Sequence, residues 1–464
     1  MKKRIFKAIM ITAGISVASV SCSDSFVDRE FEQSVIQSPL TTVNEIKSFV
    51  RGAYSSMRAT TYYGRDFLAY AEVRSDEMYS NTNSGYFLNV QNYTMLSNDG
   101  YAVGTYNQIY TMIAKTNIVI NTDVNTLSGT NVDRQTAEYF QGQAMVLRAQ
   151  GFFDLLRLYG QKYTGGPLGI VTPLKYDPSV KQARSSIAET EAQIESDFTN
   201  GLAQMVARSA YDAPGNKVEL SINAAKALMS RYYLYKGDYA KVRQLTTELL
   251  NKYTVVPRDL YQPSFDYVLR GAAPNAIFEL EVGTDSSLST SSYNQVLSAN
   301  GYANLVCKTT VLPLYAQDDV RRNLITPLTV SGTNYHFLSY ATRGKYLNRT
   351  GADNIKMIRY EEVLLNGAEA ELNGGSPATA LNYYNQIITN RGLAAATTVD
   401  MNIIKVERKK ELLGEGFRMW DMLRWGDTSF KPASVNPQLL AFPIPRAETD
   451  LAGTLVEANP GYDN

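Results

Sequence analysis

Residues 221–253 read SINAAKALMSRYYLYKGDYAKVRQLTTELLNKY, and this stretch carries the clearest structural pattern in the chain. Apolar side chains recur at intervals of three and four residues as far as Tyr235, the spacing of one face of an amphipathic helix. Lys236-Gly237-Asp238 interrupts the pattern, and a second apolar stripe begins near Tyr239. The stretch therefore predicts a helical hairpin closed by a short glycine turn.

The same arrangement returns at residues 359–392, RYEEVLLNGAEAELNGGSPATALNYYNQIITNRG. Here the spacing predicts one helix over residues 360–372 and a second over residues 378–390, with a Gly-Gly-Ser-Pro turn between them. Pro377 suits the first turn of the second helix, because proline lacks the N–H that a first-turn residue leaves unpaired. The chain therefore contains at least two hairpins of one design.

Three further stretches predict amphipathic helices, at residues 41–58, 106–121 and 134–159. Together with the two hairpins they are similar to tetratricopeptide-type repeats that are degenerate and interrupted by insertions. The predicted fold class is mainly α, with about four tetratricopeptide-like hairpins, irregular loop-rich insertions and minor β structure. Periodicity alone leaves one alternative, unrelated helix pairs in an ordinary all-α protein.

The segments between the helices differ in composition. Residues 60–105 are rich in Tyr, Asn, Ser and Gly, and residues 259–354 mix short β-like runs such as AIFEL at 276–280 with Ser-, Thr- and Asn-rich stretches. Long irregular insertions on a helical scaffold are where binding surfaces are usually found. The chain has 32 tyrosines against 2 tryptophans, so tyrosine is its main side chain with both an apolar face and a polar tip.

The N-terminus is typical of an export signal. Four basic residues precede an apolar run at residues 8–20, which is too short to span a bilayer, and Cys22 follows directly. A cysteine in this position resembles the lipobox of bacterial lipoproteins, whose thiol is acylated; the alternative is a chance cysteine near an ordinary secretory cleavage site. Cys307 is the only other cysteine, so no internal disulfide competes for Cys22. The predicted organisation is a signal peptide at 1–21, a lipidated tether at 22–39 and a single domain at 40–464.

Several kinds of chemistry find no support in the sequence. The 45 basic and 45 acidic residues form no basic stretch of the kind that nucleic acid requires. His336 is the only histidine and no Gly-x-Ser-x-Gly motif exists, so neither a nucleophilic hydrolase nor a zinc site is predicted, and we expect His336 at the surface or in a loop. The adjacent acids Asp318-Asp319 and Glu361-Glu362 are expected to be solvated. No catalytic residue, metal or cofactor is predicted, although a carboxylate pair could still be assembled in the fold.

Several segments together resemble the SusD/RagB family of Bacteroidota surface lipoproteins. The resemblance rests on the order of these segments along the chain as well as on their sequences. Two of the segments are the hairpin at 224–239 and residues 359–370. The other segments are RAQGFFDL at 148–155, GPLGI at 166–170, ERKKEL at 407–412, EGFRMWDMLRWG at 415–426, PIP at 443–445 and NPGY at 459–462.

This resemblance implies a catalytically inert receptor that is lipid-anchored in the outer membrane and exposed at the cell surface. Its partner would be a SusC-like TonB-dependent transporter, and its ligand an oligosaccharide or, as in some family members, an oligopeptide. Two other hypotheses remain open at this point: a surface hydrolase whose carboxylates meet only in the fold, and a structural scaffold that tethers other proteins through its repeats.

The segment RSDE at 74–77 is similar to the family segment that precedes a ligand-contacting loop, and tyrosines and an asparagine follow it in a polar setting. The predicted ligand-binding residues are Arg74, Asp76, Tyr79, Asn81, Tyr86 and Tyr101. Both tryptophans, Trp420 and Trp425, lie in the charged and aromatic stretch at 407–426, which we assign to packing. Tyrosine would therefore have to stack on a sugar, or the ligand is not a glycan.

Overall fold

We describe the protein from a computed structural model, which describes residues 38–265 and 271–463. Leu40–Asp177 together with Lys181–Asn464 form one compact unit. Cys22 and the predicted signal peptide lie outside the described residues.

The protein is mainly helical. Its helices, numbered in chain order, are α1 (Val43–Met57), α2 (Asp66–Val73), α3 (Leu88–Gln91), α4 (Gly100–Ile120), α5 (Asn131–Tyr159), α6 (Ile187–Ala207), α7 (Ile222–Lys236), α8 (Tyr239–Leu249), α9 (Tyr293–Leu297), α10 (Tyr360–Leu372), α11 (Pro377–Thr389), α12 (Met401–Glu411), α13 (Arg418–Arg424) and α14 (Arg446–Thr449). The long helices pack in pairs: α1 with α4, α5 with α6, α7 with α8, and α10 with α11. The predicted tetratricopeptide-like hairpins are confirmed.

The ends of these helices follow from local sequence. Thr42, Thr130 and Ser186 cap α1, α5 and α6, and in each case an acidic residue three positions later completes a capping box. Between α7 and α8, Gly237 has φ 75°, a left-handed conformation that glycine adopts without a steric penalty. These local signals explain why the boundaries of the predicted helices agree with the observed ones to within a few residues, except that α4 begins six residues before the predicted start. Helix α6 was not predicted.

Helices α5 and α6 approach each other through glycine. A Cβ atom added at Gly142 would lie 2.8 Å from the carbonyl oxygen of Gly201, and one added at Gly201 would lie 2.7 Å from that of Gly142. No side chain fits at either position, because real Cβ atoms do not come so close to a backbone oxygen. This contact joins the second pair of helices backbone to backbone.

The β structure is confined to small sheets in the insertions. The strands are β1 (Met78–Ser80), β2 (Ala276–Leu280), β3 (Leu305–Cys307), β4 (Thr326–Val330), β5 (Thr333–Phe337), β6 (Ser339–Tyr340), β7 (Arg343–Gly344) and β8 (Ile355–Arg359). The largest sheet has the order β1-β3-β5-β4, and β2 pairs with β8 immediately before α10. The strand predicted at residues 276–280 is confirmed.

Two expectations about polar residues are wrong. His336 lies on β5 with 8% of its surface exposed, because its side chain points to the inner face of the sheet beside Cys307. Burial lowers the pKa of His336. Glu361, Glu362 and Asp319 are also buried, each in ion pairs with arginine, rather than solvated. Glu361 and Glu362 each have an arginine partner from a distant segment, whereas Arg321 lies two residues from Asp319 along the chain.

Within residues 38–265 and 271–463, no helix is both long enough and apolar enough to cross a lipid bilayer.

Candidate ligand-binding surface

The four-stranded sheet has an inner face in the core and an outer face that carries aromatic residues. In its antiparallel register, Tyr79 on β1 lies opposite Val306 on β3, and Tyr335 on β5 lies opposite Leu328 on β4. Directly opposed residues point to the same side of a sheet. Val306 and Phe337 are buried in a small cluster of their own, and Tyr79 and Tyr335 cover it while remaining partly exposed.

Tyr79 and Tyr335 are one pair of partly exposed aromatic residues on the outer face, on strands that are separated by β3. The ring centroids of Tyr335 and Phe337 are 6.1 Å apart, so Phe337 supports Tyr335 from beneath. Burial, together with the nearby phenol of Tyr335, raises the pKa of Tyr79. The Tyr79 phenol is therefore neutral and can donate or accept a hydrogen bond at physiological pH.

Tyr86 and Tyr302 form a second pair, on the loops that follow β1 and precede β3. Their ring centroids are 4.9 Å apart with an interplanar angle of 42°. The Arg65 guanidinium lies 4.9 Å from the centroid of the Tyr86 ring, while its Nε donates to Asp66 Oδ1 at 2.7 Å. The Arg65 cation contacts the face of the Tyr86 ring and so restricts the orientation of the ring, while Tyr86 stays partly exposed to solvent.

Amide side chains hold these two loops together. Asn81 Nδ2 donates to the Ala303 carbonyl oxygen at 2.6 Å, and Asn83 Nδ2 donates to the Tyr302 carbonyl oxygen at 2.9 Å. The buried Asn304 donates through Nδ2 to the Tyr86 carbonyl oxygen at 2.9 Å and accepts from Ser84 Oγ at 2.8 Å. The loops are thus preorganised by hydrogen bonds, while Asn81, Tyr86 and Tyr302 remain partly exposed.

We call Tyr79, Tyr86, Tyr302 and Tyr335 the tyrosine surface. Each phenol combines a flat apolar face with a polar tip, and the partly exposed Asn81 amide lies two residues from Tyr79 along the chain. Tyrosine presents large contact area at a low cost in conformational entropy, since only two side-chain torsions become fixed. The arrangement is suited to contact with a ligand that has both apolar and hydroxyl-bearing faces.

Comparison with known proteins finds two matching family models and a related protein. A family model described as "Starch-binding associating with outer membrane" matches residues 26–234, and the model of the SusD family matches residues 314–438. The chain is similar to the SusD family over these two stretches. A SusD-like protein of Formosa agariphila is 25% identical over 492 residues, which cover 91% of this chain and 92% of the relative.

Solved structures share the fold of this chain. A putative sugar binding protein from Bacteroides vulgatus superimposes with a TM-score of 0.80 at 24% identity, over 92% of this chain and 100% of that one. A surface glycan-binding protein A from Bacteroides thetaiotaomicron, solved in complex with laminarihexaose, gives a TM-score of 0.71 at 16% identity, over 90% of this chain and 100% of that one.

The structure brings three of the predicted site residues to the tyrosine surface and its edge: Tyr79, Asn81 and Tyr86. Arg74 lies elsewhere, with 1% of its surface exposed. Its guanidinium is 4.1 Å from the ring centroid of Tyr93, and its Nε donates to the Val90 carbonyl oxygen at 2.7 Å. In this structure Arg74 packs the loop from behind and presents no group to a ligand.

Asp76 and Tyr101 are also engaged within the protein. Asp76 accepts hydrogen bonds from Lys409 Nζ at 2.6 Å and from Arg418 Nε at 2.6 Å. Burial raises the pKa of Asp76, but the bonds and charges of these two cations outweigh burial and bring it down to about 2. Tyr101 stacks on Phe87 with ring centroids 4.8 Å apart and accepts from the Phe87 N–H, so it supports the loop that carries Tyr86. A ligand contact by either residue stays a prediction.

Sequence reasoning missed Tyr302, Tyr335, Arg65 and Asn304. Tyr302 and Tyr335 belong to the insertion at residues 259–354, whose composition marked it as a candidate region without marking any residue. They meet the segment at 79–86 only through the pairing of β1 with β3 and of β3 with β5. A pairing between segments more than two hundred residues apart has no local signal in the sequence.

The stretch at 407–426, which we call the C-terminal block, packs through ion pairs as predicted. Glu411 accepts from Arg321 Nη1 at 2.8 Å, from Arg359 Nη1 at 2.7 Å and from Arg391 Nη2 at 2.9 Å. The three arginines hold the pKa of Glu411 well below its usual range, against the effect of burial. Trp425 Nε1 donates to Glu369 at 3.0 Å, which fixes this indole within the block.

No cluster of three or more His, Cys, Asp or Glu side chains suited to a metal ion occurs in the part of the chain that the structure describes. Asp99, in the acidic turn at residues 97–100, caps α4 by accepting from the Tyr101 N–H at 2.8 Å. This turn therefore has a structural use in starting the helix.

Proposed function

We propose that this protein is a surface-exposed lipoprotein that captures oligosaccharides for import through a SusC-like TonB-dependent transporter. The observation that carries the proposal is the tyrosine surface, where four partly exposed phenols lie on a sheet and on adjoining loops that amide hydrogen bonds hold together. A sugar has C–H faces that match an aromatic ring and hydroxyls that match amides and phenol tips. Similarity to the SusD family and the laminarihexaose complex of a structural relative support a glycan as the ligand.

The anchor and the transporter belong to the same proposal. The lipobox-like sequence ending at Cys22 supports acylation and attachment to the outer membrane. The resemblance to SusD-family lipoproteins supports a transporter as the partner. Purification of the full chain from native membranes, followed by mass spectrometry of its N-terminus and of co-purified proteins, tests both statements.

We also propose that the protein has no catalytic activity. The buried Glu411 carboxylate hydrogen-bonds to three arginines, which keep it charged and unavailable for acid–base chemistry. The tyrosine surface brings together phenols and amides rather than two carboxylates. Product release from a glycan panel, abolished by a single Asp or Glu substitution, would contradict this part.

Isothermal titration calorimetry tests ligand capture directly. Laminarihexaose is the first probe, followed by other plant and host glycans and by mixed oligopeptides. We expect a glycan to bind, and we expect Tyr86→Ala and Tyr302→Ala each to weaken binding at least about tenfold, equivalent to about 1.4 kcal/mol. Tyr176→Ala is the matched control, since Tyr176 is 41% exposed on a loop outside the tyrosine surface.

Three outcomes separate the hypotheses. Glycan binding that the two surface variants weaken and Tyr176→Ala leaves unchanged supports the proposal. Binding of oligopeptides alone, with the same dependence on Tyr86 and Tyr302, replaces the glycan with a peptide. Glycan binding that is equally strong in all variants means that the ligand lies elsewhere on the protein.

A further inference from the structure

Two carboxyl groups lie buried behind the tyrosine surface. Glu72 is near the end of α2 and Glu77 immediately precedes β1, and their exposed fractions are 0% and 1%. Glu72 Oε1 accepts from the Gly416 N–H at 2.7 Å. Among the described residues, no donor reaches Glu72 Oε2 or Glu77 Oε2, although the two carboxyl groups are within hydrogen-bonding reach of each other.

The neighbouring cationic side chains form their hydrogen bonds to other carboxylates. Arg418 Nε is 4.0 Å from Glu77 Oε1, but it donates to Asp76 Oδ1 at 2.6 Å. Lys409 Nζ also donates to Asp76, and Lys345 Nζ donates to Glu415 Oε1 at 2.7 Å. The Glu72–Glu77 pair therefore has cations nearby but none that forms a hydrogen bond to it.

The other titratable groups that face the pair carry no charge at neutral pH. Burial raises the pKa of each phenol and of the thiol among them, which keeps all of them protonated. These groups are Tyr293, Tyr315, Tyr346 and Cys307. They cannot supply the positive charge that two buried carboxylates would need.

Two carboxylates side by side in a buried site repel each other, and removal from water makes each charge still less favourable. Retention of one proton removes the repulsion and supplies the missing donor. We infer that Glu72 and Glu77 share a single proton at neutral pH, and that this hydrogen bond clamps the start of β1 to the end of α2 and to the loop that carries Gly416. Burial raises the pKa of Glu72 to about 7, and burial together with the Glu72 charge raises the pKa of Glu77, which agrees with the geometry.

We call this shared-proton hydrogen bond the clamp, and it makes the stability of the folded protein depend on pH. In the unfolded chain a glutamic acid loses its proton near pH 4.3, whereas in the folded pair the pKa of Glu72 is raised to about 7 and that of Glu77 is raised as well. The stabilisation from the clamp is therefore complete below about pH 4.3 and is lost as the pH rises through these raised pKa values. Among the described residues, burial also raises the pKa of Asp66, to about 6, and that of Asp197.

The clamp also lies next to the proposed binding surface. Glu77 directly precedes Met78 and Tyr79, and its carbonyl oxygen accepts from the Lys308 N–H at 2.7 Å, which ties it to β3. Loss of the shared proton should loosen the strand that presents Tyr79. A weaker ligand affinity above pH 7 would follow, and this last consequence alone rests on the proposed function.

Thermal unfolding of the full chain between pH 5.5 and 8.5 tests the clamp without any ligand. We expect the melting temperature of the wild type to fall by about 3 °C or more across this range. Glu77→Gln should remove most of that fall, because the glutamine amide donates permanently to the Glu72 carboxylate. Glu281→Gln is the matched control, since Glu281 is exposed, and it should follow the wild type.

Infrared spectroscopy at pH 6.5 supplies a second readout. The carbonyl band of a protonated carboxylic acid should be present in the wild type and in Glu281→Gln, and it should be diminished in both Glu77→Gln and Glu72→Gln. If one glutamine variant fails to fold, the other provides the comparison. A pH dependence and a band that both glutamine variants leave unchanged would overturn the clamp. Failure to bind any glycan, with the clamp intact, would instead contradict only the proposed function.

Discussion

Charge is concentrated beneath the C-terminal block and nearly excluded from the tyrosine surface. Under the block, Glu411 and the three arginines that contact it have exposed fractions of 2% or less, and each hydrogen bond joins two charged groups. At the tyrosine surface, the exposed groups are phenols and amides, and Arg65 supports them with its charge already balanced by Asp66. The two regions use polar groups for opposite purposes.

The difference follows from the cost of removing charge from water. A buried charge is tolerated only with complete pairing, so the ion-pair network beneath the C-terminal block permits one arrangement of the helices it joins. A phenol or amide loses much less when it is partly buried, and it can exchange water for a ligand. Substitutions should therefore reduce stability in the first region and binding in the second.

The largest effect is expected for Glu411→Gln. The substitution leaves three buried arginines without their shared counter-charge, and breaking a buried ion pair costs about 3–5 kcal/mol. Urea unfolding of the variant and the wild type measures the loss. Glu281→Gln, at an exposed position, should change the unfolding midpoint little. Equal midpoints for Glu411→Gln and the wild type would show that the network contributes nothing net to stability.

Gly201→Ala should have the next largest effect. The added methyl group would lie 2.7 Å from the Gly142 carbonyl oxygen, so α5 and α6 would have to separate. Overpacking of this kind costs about 1–3 kcal/mol. The matched control is Gly215→Ala, since a Cβ atom at Gly215 meets nothing within 4 Å. Similar melting temperatures for the two variants would mean that the helices shift apart without cost.

Tyr335→Ala addresses the tyrosine surface itself. Because Tyr335 is only partly buried, we expect a loss of about 1 kcal/mol in the free energy of unfolding. Glycan affinity should fall further than stability, in contrast to Glu411→Gln. Calorimetric titration and thermal unfolding of the same preparation give both quantities. A variant that loses stability and keeps its affinity would place Tyr335 outside the binding surface.

Asp76→Asn is expected to have the smallest effect on stability, and the size of that effect depends on pH. Lys409 and Arg418 lower the pKa of Asp76 to about 2, so the carboxylate stabilises the folded state above the unfolded pKa, near 3.9. That stabilisation is lost as the pH falls through about 2. The wild type should therefore lose more stability than the variant between pH 5 and pH 2, as measured by melting temperature. Parallel curves would show that the ion pairs of Asp76 are screened by solvent.

Much of the scaffold could be predicted from the sequence. The hairpin at 221–253 and that at 359–392 appear within a few residues of their predicted bounds, because apolar period, capping residues and glycine turns are all local. The packing role of the C-terminal block was also predictable, since alternating charges and aromatic residues leave few other uses. Less of the candidate site could be predicted from the sequence: Tyr79 and Tyr86 were predicted, whereas Tyr302 and Tyr335 were not.

The amino-acid sequence by itself determined the helical pairs, the family resemblance and the absence of recognisable catalytic motifs, because each depends on residues that are neighbours along the chain. Only the tertiary structure decided which tyrosines lie together, why Arg74 faces inward and why Glu361 is buried. These facts depend on strands and ion pairs that join segments far apart in sequence, such as β1 with β3 and Arg391 with Glu361. These strand pairings and ion pairs stabilise the protein only once the chain has closed the long loops between the segments they join.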